Sequence, residues 1–423
     1  MQNFFSKLKI IWTDKNLRNR ILIMIALLIV FRLLAAIPVP GIDTARLAAF
    51  LNNNQFFGIL NIFSGGGLSN LSIIMLGVSP YITASIIMQL LTIMVPRLKA
   101  LNQEEGQAGK KKFSQYSRLI TVPLALLQGF SLLMLLQKQG ILGVVSPVEF
   151  VTALAVVLAG SMFVMWIGEV MTEYGISNGV SMIIFAGIIA ALPSSLSQLA
   201  FTFDVSQIPQ LILFGVLGLA LIAGVVLVTE AERPIPVTYA RQTRGGTQTG
   251  GVSTYVPLRV NQAGVIPIIF ALSIMLVPQL LGSMFALSAN STMLSVGRAL
   301  TNFSQTTWLY GIVYFVLVFI FTYFYTAVTF DPHQMSENLQ KGGAFIPGIR
   351  PGLSTEQYIS KVVSRITLVG ALFLGIIAVL PLIVKAITGI TAIALGGTAM
   401  LIVVSVVLDL IKKVDAQISM HEY

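Results

Sequence analysis

Residues 150–171 read FVTALAVVLAGSMFVMWIGEVM, an apolar run whose only charged residue, Glu169, lies near its end. The hydrocarbon core of a bilayer is about 30 Å thick, and a helix needs about 20 apolar residues to cross it. The run therefore predicts a membrane-spanning helix. Similar runs recur along the 423 residues, of which 56% are hydrophobic and 10% charged. Soluble domains carry about 25% charged residues, so the composition indicates a polytopic membrane protein.

The apolar runs between charged or Gly/Pro-rich breaks predict about ten spans. Backbone N–H and C=O groups in lipid must be paired within their own segment, so we expect an all-α membrane protein. The predicted spans are 19–37, 73–95, 117–137, 150–171, 180–193, 208–228, 262–282, 308–328, 362–384 and 391–411.

The Lys and Arg residues alternate with these spans. They concentrate in the N-terminal segment, in the loops after spans two, six and eight, and in the tail, whereas the other side has only Arg46, Lys138, Arg298 and Lys385. Cytoplasmic loops carry the excess of Lys and Arg, so we expect both termini to be cytoplasmic. Topology and attraction to anionic lipid explain most of the net charge of +10 without direct DNA binding. The first apolar run has no small-residue cleavage site and predicts a retained span.

Spans one to five (1–193) and six to ten (208–423) form two predicted halves joined by an external hinge, 194–207. Because five is an odd number, related halves would be inverted relative to each other, and inverted repeats place a pathway at their interface. Sequence periodicity does not establish the repeat, so this arrangement is a hypothesis. The long basic loops 229–260 and 330–360 lie on the predicted cytoplasmic side, and loops of this length are usually functional or disordered.

The outer segment 38–70 contains a short apolar stretch, 56–63, followed by Ser64-Gly65-Gly66-Gly67. This stretch is too short to span a bilayer, so it lies at the interface or folds back into a cavity. From composition alone, an ordinary external loop with a glycine hinge is the favoured interpretation.

Ionisable residues are scarce in the central parts of the spans, where ion-coupled transporters and proton pumps need them. Glu169, Glu230, Glu232 and Asp409 lie at or beyond span ends, where snorkelling or helix capping is expected. Arg32 and Arg365 fall within spans, and we expect each to lie near an interface or to be paired inside the bundle.

Metal and cofactor chemistry is not expected. The chain contains no cysteine, and its only histidines are His333 and His421. The glycine clusters lack the GxxxxGK[ST] pattern that binds nucleotide phosphates. No Ser/His/Asp set or pair of intramembrane carboxylates suggests a protease, so we expect no enzymatic activity.

Several sequence blocks carry a family resemblance over nearly the whole chain. They are FR (31–32) with IPVPG (37–41), FSGG (63–66), PYITASII (80–87), GISNG (175–179) with IIFAGI (183–188), Asn261 with AGVIP (263–267) and FA (270–271), AFIPGIRPG (344–352), and GGT (396–398) with LIVV (401–404). In this order and membrane register they resemble the SecY family of protein-conducting channels, which bacteria use to pass unfolded polypeptides across and into the cytoplasmic membrane.

The resemblance implies a central hourglass pore between the halves, sealed at its waist by aliphatic side chains. A narrow apolar constriction of this kind closes by dewetting. The matching positions, which would otherwise be ordinary buried helix residues, are Val78, Ile82, Val180, Ile184, Ile269 and Ile402.

The resemblance also implies a plug below the waist and a lateral gate for signal sequences. The plug and its hinge match Gly58, Ile59, Leu60, Asn61, Ile62, Phe63, Gly65, Gly66 and Gly67. The gate lies between spans two and three on one side and seven and eight on the other, and Thr83, Gln128 and Asn261 match its polar cluster. Hydrogen bonds between membrane helices are worth about 1 kcal/mol, so such a cluster would bias closure without preventing opening.

The two basic loops match those that dock the ribosome or the motor ATPase SecA. The matching arginines are Arg233, Arg241, Arg244 and Arg350. The family further implies the small partner subunits SecE and SecG, contact with membrane lipids, and substrates that are signal peptides and unfolded preproteins. The second interpretation is a secondary transporter of a small solute, which the scarcity of mid-span carboxylates disfavours.

Overall fold

The computed structural model describes most of the chain. The described residues are 13–39, 61, 64–68, 70–103, 105–138, 140–142, 146–201, 208–239, 242–244, 247–249, 253–285, 290–305, 307–388 and 391–421. The helices are α1 (Lys15–Ala35), α2 (Ser79–Met94), α3 (Pro96–Gln103), α4 (Gly106–Lys138), α5 (Pro147–Tyr174), α6 (Gly179–Phe201), α7 (Ile208–Glu230), α8 (Ile266–Phe285), α9 (Ser291–Gln305), α10 (Thr307–Thr329), α11 (Pro332–Lys341), α12 (Leu353–Thr388) and α13 (Thr391–His421). The strands are β1 (Glu232–Tyr239), β2 (Gln242–Arg244), β3 (Thr247–Thr249), β4 (Ser253–Arg259) and β5 (Ala344–Phe345).

A helix overlaps each predicted span. By length and composition, four helical runs among the described residues can cross a membrane, and a fifth can if α2 and α3, which meet at 117°, form one span. The four runs are Gly106–Gln137, Pro147–Tyr174, Trp308–Lys341 and Leu353–Val384, and shorter apolar helices lie at Gly179–Pro193, Gly215–Glu230 and Ile266–Gln279. The chain is therefore mainly helical with several potential spans, while the count of ten stays a prediction.

One apolar core connects the helices of both predicted halves. It includes Phe31 of α1, Val157 of α5, Ile184 of α6, Leu374 of α12 and Ile402 of α13. Since these residues are buried together, the two halves share one hydrophobic core rather than forming separate domains.

The turns that lead into α2 rest directly on α5. Ser161 Oγ donates a hydrogen bond of 3.0 Å to the carbonyl oxygen of Gly77. A Cβ added to the neighbouring Gly160 would overlap the carbonyl oxygen of Ile73. A methyl group does not fit there, so glycine at position 160 sets the distance between this segment and α5.

We expect Gly160→Ala to lower the thermal unfolding midpoint in detergent, because overpacking typically costs about 1–3 kcal/mol. The matched control is Gly215→Ala in α7, where an added Cβ meets nothing within 4 Å. Alanine favours helix at both positions, so the difference between the two variants isolates the steric effect. Equal midpoints for the two variants would contradict this packing.

The two long basic loops form a small folded unit. β1 lies between β4 and β5, with antiparallel pairs from Glu232↔Arg259 to Thr238↔Ser253 on one edge and Thr238↔Phe345 on the other. One face of this sheet packs on α12, with a core of Ile235, Val237, Leu258, Ala344, Ile346, Ile359 and Val363. The sheet therefore joins the loop after α7 to the loop after α10.

The expectation of an all-α chain is corrected by this sheet, although the protein remains mainly helical. Pro234 and Pro236 within β1 would interrupt a helix. Buried Ile235 and Val237 alternate with exposed neighbours, which is the period of a strand that is covered on one face.

Candidate functional site

The predicted waist residues lie on α2, α6, α8 and α13 or directly before α2. The exposed fractions are 0% for Val78, 5% for Ile82, 0% for Ile184, 7% for Ile269 and 1% for Ile402. All five belong to the main core, and the half-buried Val180 packs against it. All six residues are thus part of the main apolar core, and their arrangement as a ring stays a prediction.

The three predicted gate residues are all buried but do not hydrogen-bond to one another within the described part of the chain. Thr83 Oγ1 donates to the carbonyl oxygen of Ser79 on its own helix, at 3.0 Å. Asn261 Nδ2 donates to the carbonyl oxygen of Gly264 at 3.3 Å. The helices on the two sides of the predicted gate are in contact, because α8 packs against both α2 and α4, while the gate itself stays a prediction.

The helices around the predicted gate also contain buried side-chain oxygens without a hydrogen-bond partner, which the sequence does not reveal. Six buried side-chain oxygens among the described residues have no hydrogen-bond partner, and they belong to Ser79, Gln89, Gln128, Asn261, Gln262 and Tyr314. All lie on α2, α4 or α10, or in the turn before α8. An unsatisfied buried polar group costs about 1–3 kcal/mol, so such oxygens weaken the packing of these helices.

The predicted glycine hinge is a hydrogen-bonded turn. The carbonyl oxygen of Asn61 accepts bonds from Gly66 N at 2.8 Å and from Ser64 Oγ at 3.0 Å. Gly65 and Gly66 adopt φ values of 64° and 85°, which L side chains rarely adopt. Five predicted plug residues, Gly58, Ile59, Leu60, Ile62 and Phe63, lie outside the described residues.

Arg350 is exposed on a hydrogen-bonded turn between β5 and α12. Gly348 and Gly352 have φ values of 81° and 98°, and Thr355 Oγ1 donates to the carbonyl oxygen of Arg350 at 3.0 Å. Ser336 Oγ of α11 donates to the carbonyl oxygen of Gly352 at 2.8 Å. Hydrogen bonds from these two hydroxyl groups to backbone carbonyls therefore hold the turn. The guanidinium group of Arg350 is not used for this and is available to a partner.

The other predicted docking arginines differ in how the structure places them. Arg233 is exposed on β1, opposite Leu258 of β4. Arg244 lies in the short strand β2, which pairs with β3. Arg241 lies outside the described residues. Since β1 and β5 are paired, Arg233 and Arg350 project from one folded unit.

The acidic residues near the span ends form ion pairs, where snorkelling or capping was expected. Arg118 Nε of α4 lies 2.7 Å from Glu169 Oε1 of α5. The remaining three pairs are Lys412–Glu230 at 2.8 Å, Arg259–Glu232 at 3.5 Å and Lys413–Asp409 at 2.7 Å. The pairs of Glu169 and Glu230 connect different helices, and sequence reasoning missed these partners because they are distant along the chain.

Asp409 also connects the entry of α6 to α13. Its Oδ2 accepts a hydrogen bond of 2.8 Å from Ser177 Oγ, and Ser177 is 5% exposed. Lys413 Nζ lies 2.7 Å from the same oxygen. This interaction joins the two predicted halves on the side that carries the chain's C-terminal end.

We expect Ser177→Ala and Asp409→Ala to be energetically coupled, because each removes one partner of the hydrogen bond. A double-mutant cycle on unfolding in detergent should give a coupling of about 1 kcal/mol, the usual size for such a hydrogen bond. Lys341→Ala with Glu337→Ala, an exposed pair within α11, provides a control cycle with smaller coupling. Additive effects of Ser177→Ala and Asp409→Ala would contradict the hydrogen bond.

No group of three or more His, Asp or Glu residues that could hold a metal ion occurs among the residues that the structure describes.

The chain is similar to known proteins in sequence and in fold. The family model described as SecY matches residues 72–411. The protein translocase subunit SecY of Synechocystis sp. is 43% identical over 419 residues, which cover 96% of this chain and 93% of that protein. A solved structure in which the plug domain of SecY stabilises the closed state of the translocation channel and maintains a membrane seal superposes with a TM-score of 0.65 at 18% identity, covering 95% of this chain and 92% of the other.

Sec61 in the canine ribosome-channel complex superposes with a TM-score of 0.61 at 16% identity, covering 95% of this chain and 92% of the other. At these identities the two solved structures establish the fold alone. The family model and the cyanobacterial relative establish more: the chain belongs to the SecY family.

Proposed function

We infer that this chain is a protein-conducting channel that passes unfolded preproteins through a membrane. The observation that carries the inference is that all six predicted waist residues are aliphatic and lie in or against the main apolar core, in a chain of this family. A constriction without fixed charges can close around a peptide of any sequence and discourages a continuous water column when empty. A secondary transporter would need a fixed polar or charged site in the same place, so this second interpretation is not supported.

The proposed path runs between two inverted five-helix halves, 1–193 and 208–423, which cross the membrane ten times. The proposed ring consists of Val78, Ile82, Val180, Ile184, Ile269 and Ile402, and residues 56–67 form the plug and its hinge. Inverted repeats place a pathway at their interface, and the core shared by both halves is consistent with this.

The proposed lateral gate lies where α8 meets α2 and α4. Opening would expose the unpaired oxygens of Gln128 and Asn261, which could then bind water or polar groups of an entering signal segment. The hydrogen bonds formed in this way offset part of the free energy needed to separate the apolar helix faces. The unpaired oxygens would thus lower the free energy needed to open the proposed gate, so a hydrophobic segment can enter the lipid through it.

The proposed energy source lies outside this chain, which acts as a passive pore without catalytic activity. The exposed arginines of the cytoplasmic sheet, Arg233 and Arg350, would contact SecA or the ribosome, and SecE and SecG would brace the helices. The proposed location is the bacterial cytoplasmic membrane, with both termini in the cytoplasm. The ribosome-bound Sec61 structure, which has the same fold, supports a docking role for the cytoplasmic face.

The proposed function is tested by reconstituting the chain with SecE and SecA in lipid vesicles. We expect ATP-dependent import of a preprotein with a signal sequence, and no import of the same preprotein lacking it. Vesicles with SecE and SecA alone provide the background. Import no greater than that background would contradict the proposed function.

A further inference from the structure

The glycine segment 64–68 is tightly enclosed by two helices. A Cβ added to Gly187 of α6 would overlap Cα of Gly65, and one added to Gly65 would overlap Cζ of Phe31 in α1. Ser64 and Leu68 are both fully buried. The segment therefore passes through a slot that admits a bare backbone only, rather than lying free as a flexible hinge.

A cationic side chain lies over this slot. Arg32 Nη1 donates a hydrogen bond of 3.1 Å to the carbonyl oxygen of Gly65, and a Cβ on Gly66 would lie 3.4 Å from the same nitrogen. Hydrogen bonds from a charged donor are stronger than those between neutral groups. Arg32 lies within the predicted first span, where an unpaired charge is costly. The bond therefore stabilises both the guanidinium and the glycine turn.

We propose that Phe31, Arg32, Gly65 and Gly187 form a clasp that holds the segment 64–68 closed, and that Arg32 is the part that releases. The contacts of Phe31 and Gly187 are steric and fix where the segment lies. Arg32 is an exposed residue and its bond to Gly65 is only partly buried, so its guanidinium can exchange the Gly65 carbonyl for water or a lipid headgroup. Release would leave the segment free to move out of the slot.

The functional consequence of the clasp rests on the proposed function, in which residues 56–67 are the plug and its hinge. Opening the channel then requires the clasp to open first, so Arg32 positions the plug without contacting the translocated chain. A weakened clasp should admit preproteins with defective signal sequences, because less energy from the signal is needed to displace the plug.

The clasp is tested by thiol labelling of Leu68→Cys, which introduces the only cysteine of the chain. Leu68 is fully buried, so a membrane-impermeant maleimide reaches position 68 only when the segment opens. Arg32→Met keeps an unbranched apolar stem and removes the guanidinium donors. We expect it to accelerate labelling about tenfold, the effect of removing a hydrogen bond from a charged group. Arg32→Lys, which keeps a cationic donor, should label more slowly than Arg32→Met.

Two further variants complete the design. Gly187→Ala should also accelerate labelling because its methyl group displaces Gly65, whereas Gly215→Ala, with open space around it, should not. Arg298→Met removes another exposed arginine on the predicted outer side, and we expect it to label like the parent.

Equal labelling rates in Arg32→Met and its parent, or an equal acceleration by Arg298→Met, would overturn the clasp. Import of a normal preprotein is measured in the same vesicles. If the parent imports no preprotein but Arg32→Met still accelerates labelling, the proposed function is contradicted and the clasp is not. If the parent imports normally but Arg32→Met does not change the labelling rate, the clasp alone is contradicted.

Discussion

Replacing Arg350 by Glu is expected to reduce SecA-dependent import about a hundredfold, because removing one partner of a charge pair at an interface commonly costs several kcal/mol. Arg350 is exposed, and the turn is held by hydrogen bonds that the hydroxyl groups of Thr355 and Ser336 donate to backbone carbonyls. The substitution should therefore leave folding unchanged. Import per channel and SecA binding to the reconstituted vesicles are the quantities to measure.

Lys361→Glu is the matched control for Arg350→Glu. Lys361 is exposed on α12, and its replacement makes the same change in charge near the same surface. A general electrostatic effect would reduce import similarly in both variants, whereas a specific contact reduces it only at position 350. Import by Arg350→Glu equal to that of the parent would contradict the proposed docking surface.

Replacing Ile402 by Asn is expected to increase import of a preprotein with a defective signal by about tenfold, because a buried unpaired amide destabilises the closed waist by at least about 1 kcal/mol. Ile402 is 1% exposed in α13 and lies within the apolar main core. In the open channel the amide can bind water, so the substitution favours opening. Import of normal and signal-defective preproteins is compared in vesicles.

The control for Ile402→Asn is Ile377→Asn in α12. Ile377 is 5% exposed in the same core but is not assigned to the ring. Both variants should be destabilised, and only Ile402→Asn should admit defective signals. If both variants import signal-defective preproteins, the effect comes from a general destabilisation of the core, and the proposed ring loses its support.

The helices were predictable from the sequence because each spanning run must pair its backbone N–H and C=O groups within itself. Runs such as 150–171 therefore identify helices without knowledge of their neighbours, and α5 covers that run. The strands were missed because a loop beside the membrane is not constrained in this way. The alternation of Ile235 and Val237 was a local signal for β1, but its pairing with Phe345 depends on residues far along the chain.

The family resemblance predicts the residues of the candidate site, and their roles stay predictions, whereas the hydrogen-bond and ion-pair partners of several polar residues could not be predicted from the sequence. Arg32 was notable as a charge within a predicted span, but only the structure reveals its bond to Gly65. Asp409 and Glu169 likewise have partners on other segments of the chain, Ser177 and Arg118. Interactions of this kind depend on how helices are placed relative to one another, which hydropathy does not encode.

Cross-linking to a trapped substrate tests most directly whether the apolar waist surrounds a passing peptide. Because the chain contains no cysteine, Ile402→Cys and Ile377→Cys each introduce a single thiol. A preprotein with a folded C-terminal domain is stalled during import and carries one cysteine in its unfolded part. We expect a disulfide between this cysteine and position 402 but not position 377. Equal or absent cross-linking at the two positions in import-competent vesicles would show that the peptide does not pass through this waist.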